Sequence, residues 1–201
     1  MSGRTVFVVD DVGSVRRALD RLLRSVGYAV RSFPSGESFL HEPTPSRPGC
    51  LVLDVRMSGL SGLDLQKTIS GTDHDVPVIF ITGHGDIPMS VRAMRAGAVD
   101  FLPKPFHDED LLASIERAIA RDEERRARQF RREQLEARLA TLTPREREVF
   151  RHVASGQLNK QIAADLGISE KTIKVHRGRV MKKMSARSLA DLVRMAGHLG
   201  Y

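Results

Sequence analysis

Asp10, Asp11, Asp54, Thr82 and Lys104 have the residue types and spacing for phosphoryl chemistry. Each sits where a short apolar run ends. Val6-Phe7-Val8-Val9 precedes Asp10 and Asp11, Cys50-Leu51-Val52-Leu53 precedes Asp54, residues 76–81 precede Thr82, and Lys104 follows residues 99–103. If these runs are parallel strands of one sheet, three carboxylates, a hydroxyl and an ammonium meet at its carboxyl edge, where open α/β sheets bind ligands. Three close carboxylates repel one another unless a cation lies among them, and hard oxygen donors suit Mg²⁺. Asp54 is the candidate nucleophile, because a carboxylate attacking a phosphoryl group gives an acyl phosphate. Lys104 offers a mobile point charge to the phosphoryl oxygens, and Thr82 offers a hydroxyl. Aspartates at strand ends also serve as helix caps. For Asp10 or Asp11 alone that is the simpler explanation, but it does not account for all five residues together.

The five residues form one site only if strands and helices alternate, and residues 1–122 do so. After Asp11, Val15, Leu19, Leu22, Leu23 and Val26 recur with helical spacing, and Gly27 ends the run as a C′ residue. Residues 28–33 read as a second strand and 35–40 as a small helix, and three prolines within 42–49 mark a loop. The third strand ends at Asp54 and leads to a helix near 63–69. The fourth ends at Thr82 and leads to a helix at 88–96, and a brief fifth strand lies near 99–102. This alternation predicts a parallel sheet with helices on both faces, and unbroken apolar runs are the mark of strands covered on both sides.

Between Asp108 and Thr141 there is neither Gly nor Pro. Asp108 is a candidate helix cap, and Leu111, Leu112, Ile115 and Ala118 form an apolar stripe. Residues 121–132 are mostly charged. Leu135, Leu139 and Leu142 then return at i, i+4, i+7. One long helix and two helices with a loose joint both fit.

Charge divides the chain. Residues 1–122 carry 14 Lys and Arg against 16 Asp and Glu, net −2, and residues 123–201 carry 18 against 9, net +9. A basic back half points to a polyanionic partner. Thr143-Pro144-Arg145-Glu146 has the form of a capping box with Pro at the first helical position, and Gly156 stops the helix that follows. Asn159 opens a second helix, with Ile162, Ala163 and Leu166. Gly167-Ile168-Ser169 is a tight turn into a third helix, which reaches about Met184, and Leu189, Leu192, Val193 and Ala196 mark a fourth. On the third, Ile173, Val180 and Met184 share the buried face. Lys171, Val175, Gly178 and Lys182 lie opposite, flanked by Lys174 and Arg179. This is the arrangement of a helix-turn-helix, in which Lys and Arg contact phosphates while Lys174 and Val175 reach base edges.

The front half resembles a response-regulator receiver domain from end to end. The resemblance rests on VVDD (residues 8–11), LVLDVRM (51–57), FITGHGD (80–86) and GAVDFLPKPF (97–106). It implies a flavodoxin-like parallel five-stranded sheet of order 2-1-3-4-5, with Asp54 as the acceptor of phosphate from a sensor histidine kinase. It also implies Mg²⁺ held by Asp10, Asp11, Asp54 and the backbone carbonyl of Arg56. Thr82 and Phe101 become the residues that move on phosphorylation, and Lys104-Pro105 matches the family's cis peptide. Two residues depart from the pattern. Ser58 stands where the family often has Pro, which implies a looser loop after Asp54, and Val12 stands where close relatives often carry a third acid. Arg56 and His84, two residues beyond Asp54 and Thr82, tune how fast water removes the phosphate if they are more than solvated loop residues.

Residues 142–201 resemble an all-α, four-helix LuxR/NarL-type helix-turn-helix domain, through LTPREREVF (142–150), NKQIAADLGIS (159–169) and KTIKVHRGRVMKKM (171–184). By position this implies base contacts from Lys174 and Val175. Lys160, Lys171, Thr172, His176, Arg179 and Lys182 become phosphate or orienting contacts, and Leu189, Leu192 and Val193 a dimerisation surface. Gly178 stands where some relatives carry a base-reading Lys. Together the halves are most similar to the FixJ/StyR subgroup of response regulators. The expected organisation is a receiver at 1–122, a charged helical linker at 123–141 and a DNA-binding domain at 142–201. The expected partners are a kinase, double-stranded DNA, RNA polymerase and, once phosphorylated, a second copy of the chain.

The single cysteine excludes an internal disulfide and fits a reducing cytosol. No apolar run approaches the ~18 residues of a membrane span, and the N-terminus lacks a signal-peptide core, so a soluble cytoplasmic protein is expected. Two other functions fit parts of the pattern. A Mg²⁺-dependent phosphatase using Asp54 has no need of a helix-turn-helix. A DNA-binding protein that ignores phosphorylation has no need of an intact acidic site.

Overall fold

The computed structural model describes residues 3–43, 48–72, 74–83 and 87–201. It divides into two compact units, residues 1–126 and 127–201.

In the first unit five parallel strands, β1 (Thr5–Val9), β2 (Ala29–Phe33), β3 (Gly49–Asp54), β4 (Val78–Thr82) and β5 (Asp100–Pro103), lie in the order β2-β1-β3-β4-β5. Alternate residues of a strand face opposite sides of a sheet, and here both sides are covered. Val6, Val8, Val52, Ile79 and Ile81 pack against Leu19 and Leu23 of α1 (Gly13–Ser25) and against Leu111 and Ile115 of the helix after β5. Phe7, Val9, Leu51, Leu53 and Phe80 pack against Phe39 of α2 (Gly36–Leu40), Leu65 and Ile69 of α3 (Gly62–Ile69) and Ala93 of α4 (Ile87–Arg95). Val26 departs from the expected apolar stripe. It sits at the C-cap of α1, where the helix has run off the core, and is half exposed. At the start of α3, a Cβ on Gly62 would lie 2.2 Å from the Asp54 carbonyl oxygen, so only glycine lets the helix sit this close behind Asp54.

The charged segment after β5, residues 121–132, is continuous helix. α5 runs from Asp108 to Ala140, 33 residues. Asp108 lies inside its first turn rather than at the cap. The backbone carbonyl of His107 accepts the amides of Asp110 and Leu111, and Asp108, Glu109 and Asp110 together favour the positive end of the helix dipole. Asp122 is fully buried. Its carboxylate accepts the Gly49 amide (3.0 Å), Arg125 (2.7 Å) and Arg126 Nε (2.7 Å), and Arg125 also donates to the Asp75 carbonyl (2.5 Å). One acid thus ties α5 to the start of β3 and to the segment before β4. Asp122→Ala removes the buried carboxylate that these donors share. Breaking a buried pair costs about 3–5 kcal/mol, and the partial water access of the arginines reduces this to about 2–4. Thermal denaturation followed by circular dichroism should show the first unit melting about 10 °C lower. A drop under about 3 °C would contradict the buried role of Asp122.

The second unit packs α6 (Pro144–Ala154), α7 (Asn159–Leu166), α8 (Glu170–Met184) and α9 (Leu189–His198) around Val149, Phe150, Val153, Ile162, Ile173, Val180, Met184 and Leu192. The Thr143 hydroxyl accepts the Glu146 amide (3.3 Å) and the Glu146 carboxylate accepts the Thr143 amide (2.9 Å), closing the capping box. Gly167 takes the left-handed conformation (φ 64°) that turns α7 into α8, and the Ser169 side chain caps α8 by accepting the Thr172 amide. Among the described residues no helix is long and apolar enough to cross a membrane.

Candidate functional site

Strand register assembles the acidic site. Val9 pairs with Leu53, so Asp10 and Asp54 follow side by side at the ends of adjacent strands. Asp54 pairs with Ile81, and Thr82 pairs with Pro103, the residue before Lys104. Asp10, Asp54 and Thr82 are buried. Lys104 Nζ donates to Asp10 Oδ2 and to Asp54 Oδ1, both at 2.8 Å, so one ammonium bridges two carboxylates. The second oxygen of each is also occupied. The Val12 amide donates to Asp10 Oδ1 (2.8 Å) and the Arg56 amide to Asp54 Oδ2 (2.9 Å). The Lys104 amide donates to the Thr82 carbonyl (2.7 Å), which fixes the segment carrying the ammonium. The Lys104–Pro105 peptide is cis. Phe101 is partly buried, with its ring 6.2 Å from Phe80.

Burial pushes the Asp54 carboxyl above the usual carboxylate range, against the opposing pull of Lys104. Burial disfavours the charged Lys104, but its bonds to Asp10 and Asp54 outweigh this and raise its pKa. The site therefore holds a reluctant anion beside a secure cation.

Sequence reasoning missed two contributors. Arg16 donates to the Asp10 carbonyl (2.6 Å). Ser58 makes contacts that the loss of proline did not signal: its amide (3.1 Å) and hydroxyl (3.2 Å) both donate to Asp11 Oδ2. The only signal for this in the sequence was a residue with two donors where proline was expected. His84 lies outside the described residues.

Asp10, Asp11 and Asp54 suit Mg²⁺ in kind, since all are hard carboxylate donors at adjacent strand ends. As they stand, Asp10 and Asp54 are bridged by Lys104 and Asp11 is engaged by Ser58. Among the described residues no three acidic, His or Cys side chains form a ready-made metal nest.

In the second unit the cations of α7 and α8 fall into two sets. Arg177 donates to Asn159 Oδ1 (2.9 Å), and Lys183 donates to Glu146 (2.6 Å) and to the Thr141 carbonyl (3.0 Å). Lys160, Lys171, Lys174, Arg179 and Lys182 are exposed and make no side-chain hydrogen bond or ion pair among the described residues. Val175 is half exposed among them. Thr172 shares a 2.8 Å hydrogen bond with Ser169 at the start of α8, and His176 Nδ1 is buried without a partner. Leu192 corrects the expected dimer surface. It is fully buried in the core of its own unit, and of the three expected residues only Leu189 and Val193 are exposed.

The response regulator receiver domain model matches residues 6–116, and the model for bacterial regulatory proteins of the luxR family matches residues 140–196. The chain belongs to the response-regulator family and joins a receiver to a LuxR-type DNA-binding domain. It is 54% identical over 195 residues to nodulation protein W of Bradyrhizobium diazoefficiens, covering 97% of this chain and 86% of the relative. It is 45% identical over 191 residues to the transcriptional regulatory protein FixJ of Azorhizobium caulinodans, covering 95% and 90%. The solved structure of response regulator StyR is 49% identical, with a TM-score of 0.84 over 96% of this chain and 98% of that one.

Proposed function

We propose that this response regulator is a cytoplasmic, phosphorylation-switched transcription factor whose receiver takes a phosphoryl group on Asp54. The observation that carries the reading is the Lys104 bridge, which places an ammonium 2.8 Å from both Asp10 and Asp54. One Asp54 oxygen attacks phosphorus. The bond from phosphorus to the kinase's histidine nitrogen breaks, and its electron pair stays with that nitrogen, which then takes up a proton. Lys104 transfers its hydrogen bonds from the carboxylates to the phosphoryl oxygens, and the Thr82 hydroxyl donates to another of them. Asp10, Asp11, Asp54 and the Arg56 carbonyl would hold Mg²⁺, which when bound neutralises the carboxylates and orients the phosphoryl oxygens. The protein acts as a stoichiometric acceptor rather than as an enzyme.

The kinase would reach Asp54 past a cavity of about 370 Å³ lined by Val15, Leu19 and Leu22 of α1 and by Pro105 and Phe106. Movement of Thr82 and Phe101 then changes the face built from α4, β5 and the start of α5. On it Ile87 (80% exposed), Val91 and Met94 are uncovered apolar residues available to a second copy. Leu189 and Val193 offer a further contact on α9. The dimer would present two α8 helices to two half-sites, with the free cations on phosphates and Lys174 and Val175 at base edges. DNA-bound dimers would then engage RNA polymerase.

The test is to treat the protein with acetyl phosphate and Mg²⁺. The expected result is the mass of one phosphoryl group on the peptide containing Asp54, a dimer by light scattering and tighter operator binding at stated salt. Absence of the added mass would overturn the reading.

A further inference from the structure

We propose that Ser58 is a latch on Asp11 that competes with the divalent cation, so that this chain holds its metal more weakly than the same site with proline or alanine at that position. The inference rests on the reading that Asp10, Asp11 and Asp54 take Mg²⁺.

Ser58 and Asp11 are 47 residues apart in sequence and lie on different loops, one after β3 and the other after β1. Two donors from one residue converge on one oxygen of Asp11, the amide at 3.1 Å and the hydroxyl at 3.2 Å. Asp10 and Asp54 meanwhile receive the Lys104 ammonium and one backbone amide each. All three carboxylates are therefore supplied with donors from the protein itself. Their mutual repulsion, which would otherwise draw in a cation, is already relieved. Lys104 has another task available once phosphate arrives, because phosphoryl oxygens accept its hydrogen bonds in place of the carboxylates. Ser58 has no such exchange. Its two bonds to Asp11 oppose the turning of that carboxylate toward its two neighbours, and they are recovered only when the metal leaves.

The side chains that could stand at position 58 differ in a graded way. Serine gives Asp11 two donors, alanine keeps only the amide, and proline has neither. The Ser58–Asp11 contact is exposed, so water takes over part of each lost bond and the steps are modest. Ser58 is a positioning residue, since it acts on the metal only through Asp11.

The experiment measures Mg²⁺ affinity by calorimetry on the full-length, unphosphorylated protein with no phosphodonor. Ser58→Ala should bind Mg²⁺ about threefold more tightly than wild type and Ser58→Pro about tenfold more tightly. In the Asp11→Ala background the same substitutions should leave the residual affinity unchanged, because the latch then has no acceptor to hold. In wild-type protein the Ser58 amide resonance should shift as Mg²⁺ is added. Ser58→Ala keeps the backbone amide and decides the matter if the proline variant misfolds. Equal or weaker Mg²⁺ binding by Ser58→Ala overturns the latch while leaving the metal site standing. Absence of Mg²⁺ binding in every variant overturns the metal site and the latch with it.

Discussion

Asp54→Asn should abolish phosphate uptake from acetyl phosphate entirely and, in the same step, make the protein more stable. The loss is chemical, since an amide oxygen is not a nucleophile toward phosphorus under these conditions, and dimerisation and tight operator binding should no longer respond to the donor. The stability gain follows from burial, which raises the Asp54 pKa above its usual value of 3.8 despite Lys104. A group whose pKa is raised on folding contributes stability below its unfolded pKa and loses it as pH climbs through the folded one. The ionised Asp54 is therefore a cost at neutral pH that the neutral Asn does not carry. The melting temperature should rise at pH 7. The gain should shrink toward nothing as pH falls to 3.8 and below, where the wild-type carboxyl is itself protonated. Thermal melts of both proteins across that range check the sign. A variant that is less stable at pH 7 would show that the ionised Asp54–Lys104–Asp10 bridge is a net asset.

The second large effect belongs to α8. Lys174→Ala should weaken binding to the operator about 10- to 100-fold, the size of one lost base contact of 1–3 kcal/mol, while hardly changing binding to unrelated DNA. Lys182→Ala should weaken binding to all sequences alike and reduce the slope of log K against log salt by about one unit. Titrations of fluorescent operator and random duplexes at several salt concentrations separate the two roles. If Lys174→Ala behaves like Lys182→Ala, Lys174 touches phosphate and the reading of base contacts is wrong at that residue.

The sheet was legible because its strands are covered on both faces. That burial demands unbroken apolar runs, and each run delivers its last residue to the same edge. The α8 face was legible for the complementary reason: Ile173, Val180 and Met184 must be apolar to be buried, which leaves the cations on the other side. What escaped notice depends on contacts distant in sequence. Asp122 followed by Arg125 and Arg126 reads as ordinary pairing on a solvated helix face, and nothing local reveals that Gly49 closes over it. The capping box of Thr143 and Glu146 was plain, but its third member, Lys183, lies 37 residues away. Ser58 looked like the loss of a stiff proline and is also a gain of two donors. Leu192 shares a helical pattern with Leu189 and Val193, and spacing alone does not say which of the three faces inward. α5 was ambiguous because residues 121–132 lack the apolar stripe that identifies a packed helix.

Cys50 lies fully buried in β3, four residues before Asp54, and burial raises its thiol pKa so that it stays protonated. The thiolate is the reactive form, so an alkylating reagent can reach this sulfur only when α1 and α5, which cover that face of the sheet, lift away. The chain thus carries an internal clock for opening of the receiver. Labelling rates of the single sulfhydryl, followed by mass with and without phosphodonor, would time how firmly the switch grips its own sheet.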